Sequence, residues 1–188
     1  MKITQEFVVA QGPETVWDFF ADVRAVAECM PGTELSEVRP EGSYAGKVSV
    51  KLGPMTAAFE GEATVERDDS TRTGQIRGAG VDRRGGSRAQ VEVAYRLEEV
   101  SEGTKVIVDA DLTLAGAAAQ FGRTGLVREM STRLARQFVE CLEATLSAPG
   151  EDGGRPAGEV RGLSLFFSSL WASLAGAIRR LVKPEKGN

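Results

Sequence analysis

The feature that most constrains the fold of this chain is a series of alternating apolar and polar segments followed by one long amphipathic segment. Six stretches between residues 2 and 114 place apolar or small residues at every second position, with Lys, Glu, Gln, Arg or Asp between most of them. Such alternation is typical of strands that bury one face of an antiparallel sheet. The predicted strands cover residues 2–9, 43–52, 57–66, 73–81, 87–97 and 103–114.

Three other segments repeat their apolar residues at helical spacing. Residues 12–23 place Pro13 at the start of a helix, and residues 24–29 form a short second helix that ends at the turn Met30-Pro31-Gly32. Residues 122–146 form a long third helix with a broad apolar stripe. A helix this apolar needs a sheet to pack on, so we predict an α+β fold in which a curved antiparallel sheet wraps around the long helix.

The absence of histidine and the small number of cysteines exclude several kinds of catalytic and metal site. The chain has 188 residues and no histidine, which removes the commonest general base and most zinc sites. The only cysteines, Cys29 and Cys141, lack metal-ligand spacing, and the N-terminus has no apolar run long enough for a signal peptide. We therefore expect both thiols to be reduced, buried and cytoplasmic. No catalytic residue and no metal ligand is predicted, and we expect the protein not to be an enzyme.

Charge divides the chain into three parts. Residues 1–147 hold 17 Lys/Arg and 23 Asp/Glu, residues 148–159 hold one and three, and residues 160–188 hold five and one. An acidic body argues against nucleic acid as the main partner, and a basic tail suits an anionic one. We predict a ligand-binding domain at 1–147, a flexible Gly- and Pro-rich linker at 148–162 and an amphipathic tail at 163–188.

Small residues on the inward face of the predicted sheet indicate a cavity. Gly46, Gly61, Ala63, Gly78 and Ala89 occupy positions where a packed core favours large side chains. The alternative is that the glycines mark bulges and tight bending of the sheet, with the helix closing the gap. Tyr44 and Tyr95 also fall on the inward face and are candidate hydrogen-bond donors to a ligand carbonyl; the alternative is that each phenol satisfies a buried backbone group. The predicted ligand-binding residues are Phe59, Gly61, Val65, Val93, Tyr95, Leu112, Leu114, Phe121, Met130 and Leu134.

The tail is too apolar for an ordinary solvated terminus. On a helical wheel its large apolar residues lie within one face, with serines and basic residues opposite. The uncharged run of residues 163–178 is shorter than the roughly 20 apolar residues that a membrane span needs. We predict a helix lying in the membrane interface; a membrane span and a helix docked in a protein groove remain alternatives. The predicted membrane-binding residues are Phe166, Phe167, Leu170, Trp171, Leu174, Ile178, Arg179, Arg180 and Lys183.

Several segments together resemble the family of the carbon monoxide dehydrogenase G subunit, within the START-like (SRPBCC, polyketide cyclase and lipid-transport) superfamily. These are "MKITQEFVV", "VWDFFAD", the Cys29-Met30-Pro31-Gly32 turn, and the segment from Gly116 that begins "GAAAQFGRTGLVREM". The resemblance covers about residues 1–147. It implies a helix-grip fold with a hydrophobic pocket between the sheet and the long helix.

The same resemblance implies a function. It predicts an accessory protein that binds a menaquinone-like isoprenoid quinone and recruits a molybdenum-containing carbon monoxide dehydrogenase or a related hydroxylase. The protein would sit on the inner face of the cytoplasmic membrane and supply the enzyme's electron acceptor. Two alternatives stay open: a purely structural tether with a filled core, and a cyclase- or hydrolase-like enzyme on the same scaffold. The sequence does not identify the ligand, the partner enzyme or the oligomeric state.

Overall fold

The computed structural model describes residues 1–52, 55–123 and 125–148, and within them it shows the predicted α+β fold. Three helices accompany one sheet: α1 (Pro13–Ala21), α2 (Val23–Cys29) and α3 (Leu126–Ser147). Short 3-10 segments precede β3 and α3, at Pro40–Gly42 and Ala117–Arg123. The strands are β1 (Lys2–Val9), β2 (Thr33–Arg39), β3 (Ser43–Leu52), β4 (Met55–Asp68), β5 (Thr73–Asp82), β6 (Ser87–Val100) and β7 (Gly103–Gly116).

All seven strands belong to one antiparallel sheet in the order β1-β7-β6-β5-β4-β3-β2. Consecutive strands from β2 to β7 are neighbours, and β1 pairs with β7, so Ile3 lies opposite Ala110. Because the strands alternate in direction, β3, β5 and β7 all end at one end of the sheet. The β4–β5 and β6–β7 turns lie at the opposite end, where Trp17 of α1 donates its indole hydrogen bond to Asp69.

The sequence analysis missed strand β2. Its apolar residues Leu35 and Val38 are three positions apart, and the pairing with β3 shifts register between Leu35 and Glu37. A bulge of this kind adds a residue on one side and breaks the period-two pattern on which the prediction depended. The sheet therefore has an edge strand that the sequence pattern did not indicate.

Helix α3 lies on the concave face of the sheet and has two different environments along its length. Its second half enters an aromatic core, where Phe138 is 5% exposed and Leu142 is fully buried. The ring of Phe138 lies 6.2 Å from Phe7, 6.2 Å from Phe19 and 5.9 Å from Phe20, in edge-on or tilted arrangements that aromatic pairs prefer. The helix begins at Leu126 rather than at the predicted residue 122, because Gly125 takes a left-handed conformation.

The expectation of two free thiols is wrong, because Cys29 and Cys141 form a disulfide. The end of α2 packs against α3 and brings the two Cα atoms to 5.3 Å, although 112 residues separate them in sequence. The bond therefore joins the short helices to the second half of α3. Spacing along the chain held no sign of this contact, which the tertiary packing of α2 creates.

The predicted linker and tail, residues 148–162 and 163–188, lie almost wholly outside the described residues, as do all nine predicted membrane-binding residues: Phe166, Phe167, Leu170, Trp171, Leu174, Ile178, Arg179, Arg180 and Lys183. These assignments stay predictions. Within the described part of the chain, no helix combines the length and the apolar character needed to cross a bilayer.

Candidate functional site

A cavity of about 420 Å³ lies between the concave face of the sheet and the first half of α3. Residues from all seven strands form one wall, and Val127, Met130, Ser131 and Leu134 of α3 form the other. This volume is within the usual range of small-molecule sites, roughly 300–1,000 Å³. The cavity that the small inward residues predicted is therefore present, and most of its lining residues are apolar.

The glycines of the cavity wall differ in how closely neighbouring atoms approach the position of a Cβ atom. A Cβ atom on Gly61 would overlap the carbonyl oxygen of Ala79, and one on Gly46 would lie 2.6 Å from the carbonyl oxygen of Glu34. These two glycines allow neighbouring strands to approach closely, which is the bending that the alternative interpretation described. By contrast, a Cβ on Gly78 would meet a methyl group of Val91 at 3.3 Å, a tight contact that a small shift of the Val91 side chain relieves.

Six of the ten predicted ligand-binding residues line the cavity: Phe59, Gly61, Leu112, Leu114, Met130 and Leu134. Four do not: Val65, Val93, Tyr95 and Phe121. Val65 faces inward opposite Ile76, which in turn pairs with Val93. Val93 contributes to a separate depression among β1, β5, β6 and β7. Phe121 packs with Ala57 and Ala118 in a small apolar cluster beside the cavity.

Tyr95 does not line the cavity as predicted, because it belongs to the aromatic core. Tyr95 is 5% exposed and its ring stacks on Phe20 at 5.1 Å, inside the aromatic core. Burial raises the pKa of its phenol above the ordinary value of 10.0, with nearby Arg67 opposing the shift. The alternation along β6 predicted correctly that Tyr95 points inward. It did not distinguish the half of the concave face that α1 fills from the half that remains open.

Few polar groups border the cavity, and one of them has no partner. Thr33, Tyr44 and Ser131 contribute hydroxyl groups to the lining. The hydroxyl of Thr33 is buried and has no hydrogen-bond partner among the described residues. Buried hydroxyls nearly always find a partner, so this one is suited to a ligand atom that accepts a hydrogen bond. Sequence reasoning missed Thr33 because it lies on β2, the strand that was not predicted.

Other polar lining residues pair with one another. Glu34 of β2 and Lys47 of β3 form an ion pair with an N–O distance of 2.9 Å. In the described part of the chain, no group of three or more His, Cys, Asp or Glu side chains is placed to hold a metal ion. The site therefore offers apolar contacts and a few hydroxyl groups.

Solved structures define the class of this fold. A conserved protein from Geobacillus kaustophilus superposes with a TM-score of 0.68 at 14% identity, covering 78% of this chain and 95% of its own. A protein from Thermus thermophilus gives 0.58 at 16% identity, covering 77% and 99%. The Zhui aromatase/cyclase from Streptomyces sp. R1128 gives 0.55 at 15% identity, covering 78% and 93%. These likenesses show the helix-grip fold.

A family profile then gives a more specific assignment. The profile of the carbon monoxide dehydrogenase G subunit (CoxG) matches residues 6–147. The chain belongs to this family, as its N-terminal strand, the Cys29–Gly32 turn and the entry to α3 had indicated. No curated protein matches the chain in sequence. The family assignment fits an accessory role toward carbon monoxide dehydrogenase.

Proposed function

We propose that this protein is a non-catalytic carrier that binds an isoprenoid quinone in the cavity beneath α3. It brings a molybdenum-containing carbon monoxide dehydrogenase, or a related hydroxylase, to the membrane where that quinone is stored. The observation that carries the proposal is an apolar cavity of about 420 Å³ in a member of the CoxG family. A volume of this size suits a ring headgroup with the first part of its side chain, and the remaining isoprenoid units would extend outside.

The lining suits a quinone better than a charged or sugar-like ligand. Phe59, Leu112, Leu114 and Met130 offer apolar surface to a flat ring and its prenyl chain. The unpaired hydroxyl of Thr33 is a donor for a ring carbonyl, and Tyr44 is a further candidate, whereas the hydroxyl of Ser131 already donates to the carbonyl oxygen of Arg128. A bound quinone would accept two electrons and two protons from the partner's oxidation of carbon monoxide to carbon dioxide. The residues of this chain would hold the ring, exclude water and orient its carbonyl groups.

Bound lipid is the direct test. The full chain is purified from a host that makes isoprenoid quinones, extracted with organic solvent, and the extract is analysed by mass spectrometry. We expect a quinone in stoichiometric amounts. Ala89→Phe places a ring in the cavity beside Gly80, and it should abolish copurification. Ala94→Phe on the exposed face of the same strand is the matched control. An empty cavity in wild-type protein would refute the carrier proposal.

A separate test addresses the partner. Carbon monoxide dehydrogenase should sediment with vesicles only when the full chain is present, and a variant lacking residues 160–188 should release it. Ala89→Phe should leave this sedimentation unchanged, since the cavity is not the proposed contact with the enzyme. A purely structural tether would pass this test and yield no bound quinone, so the two experiments separate the hypotheses.

The cytoplasmic side of the membrane is also part of the proposal. The disulfide between Cys29 and Cys141 weighs against it, because cytoplasmic thiols are usually kept reduced. Alkylation of thiols in intact cells, before lysis, measures the state of the pair in place. Alkylated cysteines would support the cytoplasmic face, and a fully oxidised pair would place the protein on the opposite side.

A further inference from the structure

The charges of the folded body are separated between its two ends. One end is where β3, β5 and β7 finish and α3 begins. We call it the basic end and define it by five exposed cations: Lys51, Arg83, Arg84, Arg88 and Arg128. The opposite end carries exposed acids on α1, α2, the β6–β7 turn and the last turns of α3: Asp18, Asp22, Glu28, Glu99, Glu102, Glu140 and Glu143. Sequence counts alone showed only that the body as a whole is acidic.

The cations of the basic end are not used in ion pairs within the described part of the fold. None of the five forms an ion pair with another described residue, in contrast to Arg39, Arg72, Arg77 and Arg96. Arg24, Arg133 and Arg136 are likewise unpaired among the described residues. Asp82, the last residue of β5, is buried just before the turn formed by residues 83–86. Its carboxylate accepts hydrogen bonds from the backbone N–H groups of Arg84 and Gly85. The exposed acids nearby are Glu60 and Glu129. The surface at this end therefore presents a net positive charge to solvent.

Helix α3 adds charge of opposite sign to the two ends. Arg128, Arg133 and Arg136 lie in its first half, and Glu140 and Glu143 lie toward its C-terminus. In the first turn, where the helix dipole acts, Arg128 and Glu129 have opposite signs, so the dipole gives this arrangement little net effect.

We infer that the basic end of the folded body is a docking face for an anionic lipid surface, separate from the tail. The five cations lie on β3, the β5–β6 hairpin and α3, all at the basic end. The apolar Val81, which pairs with Arg88, is 41% exposed beside them. Each Lys or Arg held near an anionic bilayer contributes about 1 kcal/mol, and the acidic opposite end would be repelled. The body would therefore have one preferred orientation on the membrane.

Vesicle binding of the full chain tests this inference. The triple variant Arg83→Gln/Arg84→Gln/Arg88→Gln is compared with Arg24→Gln/Arg72→Gln/Arg96→Gln, which removes the same charge from elsewhere on the body. Vesicles are pure phosphatidylcholine, or contain one third phosphatidylglycerol. At low salt, on the anionic vesicles only, we expect the first variant to lose on the order of 100-fold in partitioning, the value for three arginines at the surface. The second variant should bind like wild type.

The outcomes separate this inference from the proposed function. Equal binding of both triple variants to anionic vesicles would overturn the docking face and assign these arginines to an acidic protein surface. Copurified quinone should not change in either variant, because none of these side chains lines the cavity. An empty cavity would leave the vesicle result standing. Thermal unfolding of each variant confirms that a change in partitioning is not a loss of fold.

Discussion

Two leucines of α3 provide a matched test of whether the space under the helix is open. Leu142 is fully buried in the aromatic core, and Leu134 is a half-buried residue that lines the cavity. Both lie within the same helix, so replacement by alanine changes helix propensity equally. We predict that Leu142→Ala destabilises the fold much more than Leu134→Ala.

The expected magnitudes follow from what each side chain contacts. Removing a fully buried leucine loses its transfer free energy and leaves a void among close-packed neighbours, at a total cost of about 3–5 kcal/mol. Leu134 already faces open space on one side, so its removal breaks fewer contacts and creates no new enclosed void. We expect about 1–2 kcal/mol for Leu134→Ala, from partial loss of apolar burial alone.

The assay is urea unfolding followed by circular dichroism, with bound lipid removed first and the disulfide kept intact in every variant. The free energies of unfolding are compared at a common slope. The reasoning would be refuted if Leu134→Ala cost as much as Leu142→Ala in lipid-free protein. That result would mean that side chains fill the region beneath the first half of α3, and the carrier proposal would lose its structural basis.

Three further measurements follow from the geometry. Gly61→Ala should prevent normal pairing of β4 with β5 and lower the free energy of unfolding by more than about 2 kcal/mol, whereas Gly78→Ala has a movable methyl group of Val91 as its tightest contact and should cost less in the same urea assay. Replacing Cys29 and Cys141 together by serine removes the cross-link between positions 112 apart in sequence and should cost about 3–5 kcal/mol relative to oxidised wild type, and reduced wild type should unfold like the variant. Because the native fold raises the pKa of Tyr95, the unfolded chain loses its phenolic proton first, and stability should fall as pH rises above about 10. Melting temperatures of wild type and Tyr95→Phe across that pH range would diverge if this is correct and run parallel if it is not.

The sequence predicted the sheet well because half-burial leaves a strong period of two. Along β6, Ala89, Val91, Val93, Tyr95 and Leu97 face inward in the structure as the alternation indicated. The same pattern failed at β2, where one bulge shifts the register. Because β2 was not predicted, Thr33 could not be assigned to a face of the sheet and was missing from the predicted site. Local periodicity thus determined most of the fold and missed one edge strand.

The division of the concave face into core and cavity could not be read from any single strand. Tyr95 and Leu112 both point inward, yet Tyr95 stacks on Phe20 of α1 while Leu112 borders open space. The difference depends on where α1 packs against the sheet, which is a long-range contact. Small residues were a useful but mixed signal, because a glycine such as Gly61 allows the close approach of β5 in addition to lining the cavity.

In the proposed carrier the two ends of the body would have different roles, and α3 connects them. The second half of α3 is held by Phe138, Leu142 and the disulfide, in a well-packed part of the described fold. Its first half rests over the cavity, with Arg128 at its start and in no ion pair with another described residue. A carrier needs a firm scaffold beside a site that opens to exchange its ligand. Because the less tightly packed half of α3 is also the half nearest the basic end, docking on an anionic surface would bring the bilayer to the part of the protein where opening costs least.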